Sequence, residues 1–202
     1  MARARHANPA DTDTATAILD IAERLIQRRG FSGFSYADIA AELGITKASL
    51  HYHFPSKAEL GESLITRYAA RFAEALEEIG GRDAPAADKL RSYCAIYRGV
   101  LSEQRMCLCG MLAAEYEVLP DSMRHAVVAF FDHNQAWLCA LLEEGSAAGS
   151  LRFAGVSGHA ARSIIAALEG AMLVSRPYGS TAVLDSVADH LMTEFSVELM
   201  SG

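Results

Sequence analysis

The stretch SYADIAAELGITKASLHYHFPSKAEL, residues 35–60, constrains this chain more than any other. Ser35 followed three residues later by Asp38 has the spacing of a capping box, which predicts a helix from Tyr36. Ile39, Ala40 and Leu43 then recur at helical spacing. Gly44 interrupts where the backbone needs a positive φ to leave the helix. Thr46 can cap a second helix from Lys47 to Phe54. Ala40 is small where two helices must cross closely, and Ile45 and Leu50 are apolar where the second must pack on the first. Pro55 stops that helix, and Ser56 with Glu59 is a second capping box that starts another at once. The pattern is a helix-turn-helix at residues 36–54, followed by a long helix.

The flanks extend it. Residues 1–11 read as a polar, disordered arm in which Arg3 and Arg5 could reach a minor groove. Thr12 or Thr14 can start a first helix, with Ile18, Ile21, Ala22, Leu25 and Ile26 on one face and Gly30 at its end. Phe31 and Phe34 supply anchors for a three-helix core. After Pro55 the apolar positions Leu60, Leu64, Ile65, Tyr68 and Phe72 continue one connector helix to about Ile79.

The segment GITKASLHYHFPSKAEL resembles the DNA-recognition segment of the TetR/AcrR family of bacterial one-component transcriptional regulators, a match that runs from about Thr14 to Ala70. Ala48 stands where the family often has Gly, and His51 where Tyr is usual. The resemblance implies an all-α protein. A three-helix DNA-binding head, residues 12–74, is joined by the connector to an effector-binding and dimerisation body, residues 89–202, past a loop at 80–88. It implies a homodimeric repressor on a palindromic operator, released by a small organic effector, with no enzymatic activity and no cofactor.

Candidate DNA contacts follow from residue chemistry. Thr46, Lys47 and Lys57 offer hydroxyl or charge to phosphate. Ser49 and Tyr52 would approach base edges, with His53 and His51 on the backbone. Ser35 and Tyr36 sit at a helix N-terminus, itself an anion site. In the body, Tyr97, Met111, Glu115, Tyr116, Phe130, His133, Trp137 and Met172 are candidates for a mainly apolar effector pocket. Residues 163–175, SIIAALEGAMLVS, form a helix apolar nearly all round, so one side is expected to face a second subunit. Ala167, Gly170 and Ala171, with Val187, Leu191 and Phe195 of the last helix, are the expected dimer residues.

Composition sets the outer bounds. The 202 residues are 51% hydrophobic and 21% charged, with only five Pro, an ordinary globular balance. The net charge of −7 is unusual for a nucleic-acid binder. It is uneven, however: residues 1–57 carry about +1 and the rest about −8. No apolar run follows Arg3 and Arg5 as in an export signal, and none is long enough to span a membrane. The four Cys are therefore expected as reduced thiols in a cytoplasmic protein.

Other chemistry has weaker support. Cys107 and Cys109 would point about 200° apart on a helix, which suits neither one metal nor a disulfide. A thiol- or metal-responsive regulator with the same head is the first alternative, with Arg105 placed to lower a thiol pKa. An all-α ligand-binding protein that has lost DNA binding is the second. Glu169, the one charge between Ser163 and Ser175, must pair, protonate or bind something polar. Arg162 on the same helix is the expected partner.

Overall fold

A computed structural model describes residues 9–197; the expected arm positions Arg3 and Arg5 lie outside them. The helices are Pro9–Arg29 (α1), Tyr36–Leu43 (α2), Lys47–His53 (α3), Lys57–Gly80 (α4), Ala86–Ser102 (α5), Leu108–Ala114 (α6), Asp121–Ala147 (α7), Ser157–Ser175 (α8) and Ala182–Phe195 (α9). Single 3₁₀ turns follow α6 and α8, at Tyr116–Val118 and Arg176–Tyr178. The fold is all-α, and among the described residues the one β feature is an isolated antiparallel bridge, Leu151 to Ser196.

Several boundaries differ from the sequence expectation, and local chemistry explains most of them. Helix α1 already includes Pro9, Ala10 and Asp11, so those residues are not part of an irregular arm. Proline suits a first turn, where its missing N–H costs nothing. Gly80 still belongs to α4, and α5 begins at Ala86 behind Pro85, which shortens the expected 80–88 loop. Helix α8 starts at Ser157, six residues before Ser163, because His159, Arg162 and their neighbours form its polar first turns. The loop between α7 and α8 is tied down by Arg152 N–H donating to Phe195 O at 2.7 Å and Val197 N–H to Ser150 O at 3.1 Å.

One continuous apolar core runs from Ile18 in α1 to Phe195 in α9. Its centre is aromatic. The Phe72 ring lies 5.0 Å from Phe130 and 6.3 Å from both Tyr68 and Tyr97. Helix α4 passes through both ends of this core. Leu60 and Leu64 close the head, whereas Phe72, Leu76 and Ile79 pack in the body. Between them the buried carboxylate of Glu23 on α1 accepts from Arg71 at 2.6 Å and Arg67 at 3.1 Å. A buried carboxylate is tolerable only with such partners, so these ion pairs fix how α1 crosses α4.

Candidate nucleic-acid interface and effector cavity

Helices α2 and α3 are built as their caps require. The Asp38 carboxylate accepts from the Ser35 N–H and hydroxyl, both at 2.7 Å. The Ser35 hydroxyl accordingly holds Asp38 below the usual carboxylate range. Gly44 takes φ 66°, and the next residue, Ile45, donates its N–H to Ala40 O at 3.1 Å. That left-handed turn is where a side chain would be strained. Thr46 Oγ1 accepts from Ser49 N–H at 3.1 Å and so caps α3. Leu50 is fully buried beneath α3 and Phe54 nearly so. What remains outward is Thr46, Lys47, Ala48, His51 and Tyr52, with Ser49 and His53 half-buried. Tyr52 is 69% exposed.

Two expected contacts on this face are engaged elsewhere. Lys57 Nζ donates to Phe31 O at 2.6 Å and Phe34 O at 2.7 Å, and sits 4.6 and 4.2 Å from their ring centroids. Its partial burial lowers its pKa. The ammonium is a bolt inside the head. Tyr36 donates its hydroxyl to Phe54 O at 2.9 Å, and burial pushes its pKa up to about 12. His51 sits beside it, with ring centroids 4.8 Å apart and Nδ1 3.1 Å from Pro55 O. That bond needs the proton on Nδ1, which leaves Nε2 unengaged.

The body holds two apolar spaces separated by one ring. An open groove of about 380 Å³ runs between α4 and α7, lined among others by Ile65, Ala69, Phe72, Ala126, Phe130 and His133. Behind it lies a narrow gap bounded by Tyr68, Phe72, Tyr97, Val100, Cys107 and Met172, too tight for a water molecule. Phe72 belongs to both. Beside the gap a buried ring of hydrogen bonds joins α5 to α7. Tyr93 donates to Asn134 Oδ1 at 2.8 Å, Asn134 Nδ2 donates to Tyr97 at 3.2 Å, and the two hydroxyls are 3.1 Å apart. Closed in this way, the polar groups lose little by burial.

The expected pocket residues divide. Tyr97 and Met172 bound the gap, and Phe130 and His133 line the groove. The other four lie elsewhere. Glu115 reaches the head, where Oε2 accepts from Ser32 N–H at 2.8 Å. Tyr116 lies under the Arg124 guanidinium, 5.4 Å from the ring centroid. Met111 meets Arg176 at 3.6 Å. Trp137 stacks on Tyr93 with centroids 5.7 Å apart, behind the hydrogen-bonded ring rather than in either space. Periodicity placed these residues on helices but could not say which face of α6 the head would cover.

Glu169 differs most from expectation. It forms no ion pair with Arg162, and none with any other cation among the described residues. Its Oε1 is buried without a hydrogen-bond partner. Burial raises its pKa to about 7, with the Cys107 thiol the one group that eases the charge. Gly110 of α6 makes room for it: a Cβ there would lie 2.2 Å from Glu169 Oε2.

The thiols are equally enclosed. Cys107 caps α6, accepting from Gly110 N–H at 3.4 Å and from the Tyr68 hydroxyl at 3.7 Å. Burial first, and the nearby Glu169 carboxyl second, push the Cys107 and Cys109 thiols well up. Arg105 does not oppose this, because it is engaged with Glu103 and Gln27.

On the far side, α8 and α9 border a trough of about 750 Å³ lined by Ala167, Val187, Leu191 and Phe195 among others. Gly170 faces open space, and Leu173 and Val174 are 60% and 52% exposed. Ala171, expected in a dimer contact, instead points inward and is buried within the chain.

A three-helix unit that presents a short exposed helix after a left-handed glycine turn, mounted on an all-helical body, is a helix-turn-helix DNA-binding regulator. The chain belongs to the TetR family. Residues 18–64 match the family model described as bacterial regulatory proteins, tetR family, and residues 86–191 match the tetracyclin repressor-like C-terminal domain. Among curated relatives, the transcriptional regulator AcuR of Cereibacter sphaeroides is 29% identical over 131 residues, 62% of this chain and 59% of AcuR. The chain thus spans less than two thirds of that relative's length. Among solved structures, a TetR-family transcriptional regulator from Agrobacterium tumefaciens superposes with a TM-score of 0.89 at 33% identity, covering 93% of this chain and 100% of the other. A TetR transcriptional regulator from Legionella pneumophila gives 0.79 at 32% identity, covering 94% and 98%. The relatives are described as transcriptional regulators.

Proposed function

We propose that the protein is a cytoplasmic, homodimeric repressor that holds a palindromic operator and is released from it by a small organic effector. The observation that carries this reading is the double use of α4. Its first turn is bolted into the head through Lys57, and its middle, from Ile65 to Ala73, walls the groove in the body. A ligand that prefers a different pose of α4 therefore biases the head, which is what release by linkage requires. The exposed stripe of Ala166, Gly170, Leu173 and Val174 on α8, continuous with the trough against α9, supports pairing with a second copy. The exposed side chains of Lys47 and Tyr52 favour a head that has kept DNA binding. The burial of Cys107 and Cys109 disfavours a thiol trigger.

The test is a titration of the purified protein with the DNA flanking its own gene, in the presence of competitor DNA, alongside light scattering. Binding should be to two half-sites about 34–36 Å apart or a multiple of that, by a species of twice the chain mass. A monomer with no preference for the flanking DNA overturns the reading.

A further inference from the structure

We propose that Glu169 is the anchor for an organic cation, an alkylammonium compound whose apolar body lies in the groove between α4 and α7. This inference rests on the effector-release reading for its biological meaning, but the binding claim stands on its own geometry.

Glu169 is half-buried as a residue, yet its carboxyl is the one among the described acids with a buried oxygen that nothing satisfies. Glu23, the other deeply placed carboxylate, has two arginines. The groups that face Glu169 are Cys107 and Cys109 from α6 and its cap, Tyr68 from α4, and Tyr93 and Tyr97 from α5, with no Lys, Arg or His among them. An ionised carboxylate in such company is costly unless a cation reaches it, and otherwise it takes up a proton. Three of these neighbours, Tyr68, Tyr97 and Cys107, also border the narrow gap, which is rich in ring faces. Tyr68, Phe72 and Tyr97 border the gap, and Phe130 backs Phe72 at 5.0 Å. Ring faces attract cations and repel anions, so both features select the same ligand charge. A carboxylate ligand would meet a second carboxyl and no counter-charge. A neutral alcohol would leave Glu169 to take up a proton instead.

Phe72 borders both gap and groove, so a turn of that one side chain would open the groove toward the gap. The groove side is mostly alanine-lined, with Ala69, Ala70, Ala73, Ala126 and Ala129, which leaves space for an apolar tail; Thr66 and His133 are its polar side chains. Gly110 completes the seat, since any side chain there would take the volume of the carboxyl itself.

The test uses full-length dimer or monomer as purified. Hexylammonium chloride, hexanol and sodium hexanoate are compared at equal millimolar concentration, and benzyltrimethylammonium chloride is added as a bulkier cation. Binding is read by the thermal midpoint and by Trp137 fluorescence, since that ring stacks on Tyr93 beside the gap. Hexylammonium should bind at least about tenfold more tightly than hexanol or hexanoate, the range of a charge-assisted hydrogen bond. Glu169→Gln should erase that preference. Gly110→Ala, which displaces the carboxyl while favouring helix, should do the same and serves if the first variant does not fold. The proposal is overturned if hexanol or hexanoate binds as well as the ammonium, if Glu169→Gln keeps the preference, or if neither cation binds. Binding that depends on Glu169 but leaves operator DNA bound would uphold the anchor and overturn effector release.

Discussion

Glu115, the residue that ends α6, accepts a hydrogen bond at 2.8 Å from the backbone N–H of Ser32 in the loop between α1 and α2. The body thus grips the head at a second place besides α4. Met106 N–H donates to Gln27 O at 3.2 Å, and Arg28 donates to Glu103 O at 3.3 Å, on the same side. The other end of α6 carries Gly110 and the Cys107 cap, against which Glu169 rests. Seven residues of helix, ~10 Å long, connect the buried carboxyl to the head. Glu115→Ala should cost about 0.5–1.5 kcal/mol of stability, the loss of one net hydrogen bond. It should also blunt effector release more than it weakens basal operator binding. Operator titrations with and without effector, beside denaturant melts, check both.

Lys47 and Lys57 should separate cleanly. Lys47→Ala should weaken binding to every DNA sequence and reduce the slope of affinity against salt, as removal of a phosphate contact does. Lys57→Ala should leave the slope unchanged and destabilise the head by about 1–3 kcal/mol, because two buried carbonyls lose a charged donor. Tyr52→Ala, on the exposed ring, should alter preference among operator variants. Salt-dependent anisotropy on two operator sequences distinguishes the three.

Glu169 makes stability depend on pH in a definite direction. Its pKa is about 7 in the fold and 4.5 in the unfolded chain, so between those values the folded state holds a proton that the unfolded state has released. Stability from this group is complete below pH 4.5 and is lost as pH rises through about 7. The full loss is on the order of 3 kcal/mol. Urea midpoints at pH 5 and pH 8 should therefore differ more in the unmodified protein than in Glu169→Gln. Equal differences would place the carboxyl in water.

The outer face of α8 allows assembly to be tested without damage to the protomer. A side chain at Gly170 meets nothing within 4 Å inside the chain. Gly170→Leu should leave the protomer as stable as before and push two copies apart. Leu173→Glu, at a position 60% exposed, should do likewise. Sedimentation should show dimers becoming monomers while the melting curve at high dilution is unchanged.

The thiols should differ sharply in reactivity. Cys94, Cys107 and Cys109 are buried and Cys139 is half-buried. A disulfide reagent should modify Cys139 alone in the native protein, and all four Cys in urea. Rapid native modification of Cys107, with loss of operator binding, would revive the thiol-responsive alternative.

What the sequence made legible was what neighbours along the chain decide. The Ser35–Asp38 box, the Ser56 cap on Glu59 N–H, the Gly44 turn and the Pro55 stop depend on contacts within four residues, and each appears in the fold, the Ser56 cap without the reciprocal bond of a full box. The engagement of Lys57 is not legible, because its partners, the carbonyls of Phe31 and Phe34, lie 26 and 23 residues away. At the first turn of a helix after Pro-Ser, it had the local look of a surface cation. Glu169 was recognisable as an anomaly, but Arg162 is two turns back along α8 and never meets it. Glu115 resembled a pocket acid because nothing in its own segment reveals that the head covers it. Half of the expected pocket residues lie away from the groove and the gap for that same reason: periodicity yields the buried face of a helix, not its neighbour across the core.

The Lys57 bolt also determines how this protein can be taken apart. Its ammonium closes the Phe31–Phe34 loop, yet its backbone is the first residue of α4. A fragment ended at Pro55 would leave two carbonyls facing a hole and strip Leu60 and Leu64 from the head. The seam between head and body therefore falls inside a helix, several turns past any loop. Chimeras that trade bodies between relatives should be spliced in mid-α4, beyond Arg71, where the last ion pair to α1 is made. Grafts joined at the more obvious Pro55 turn would carry across a recognition helix with nothing to stand on.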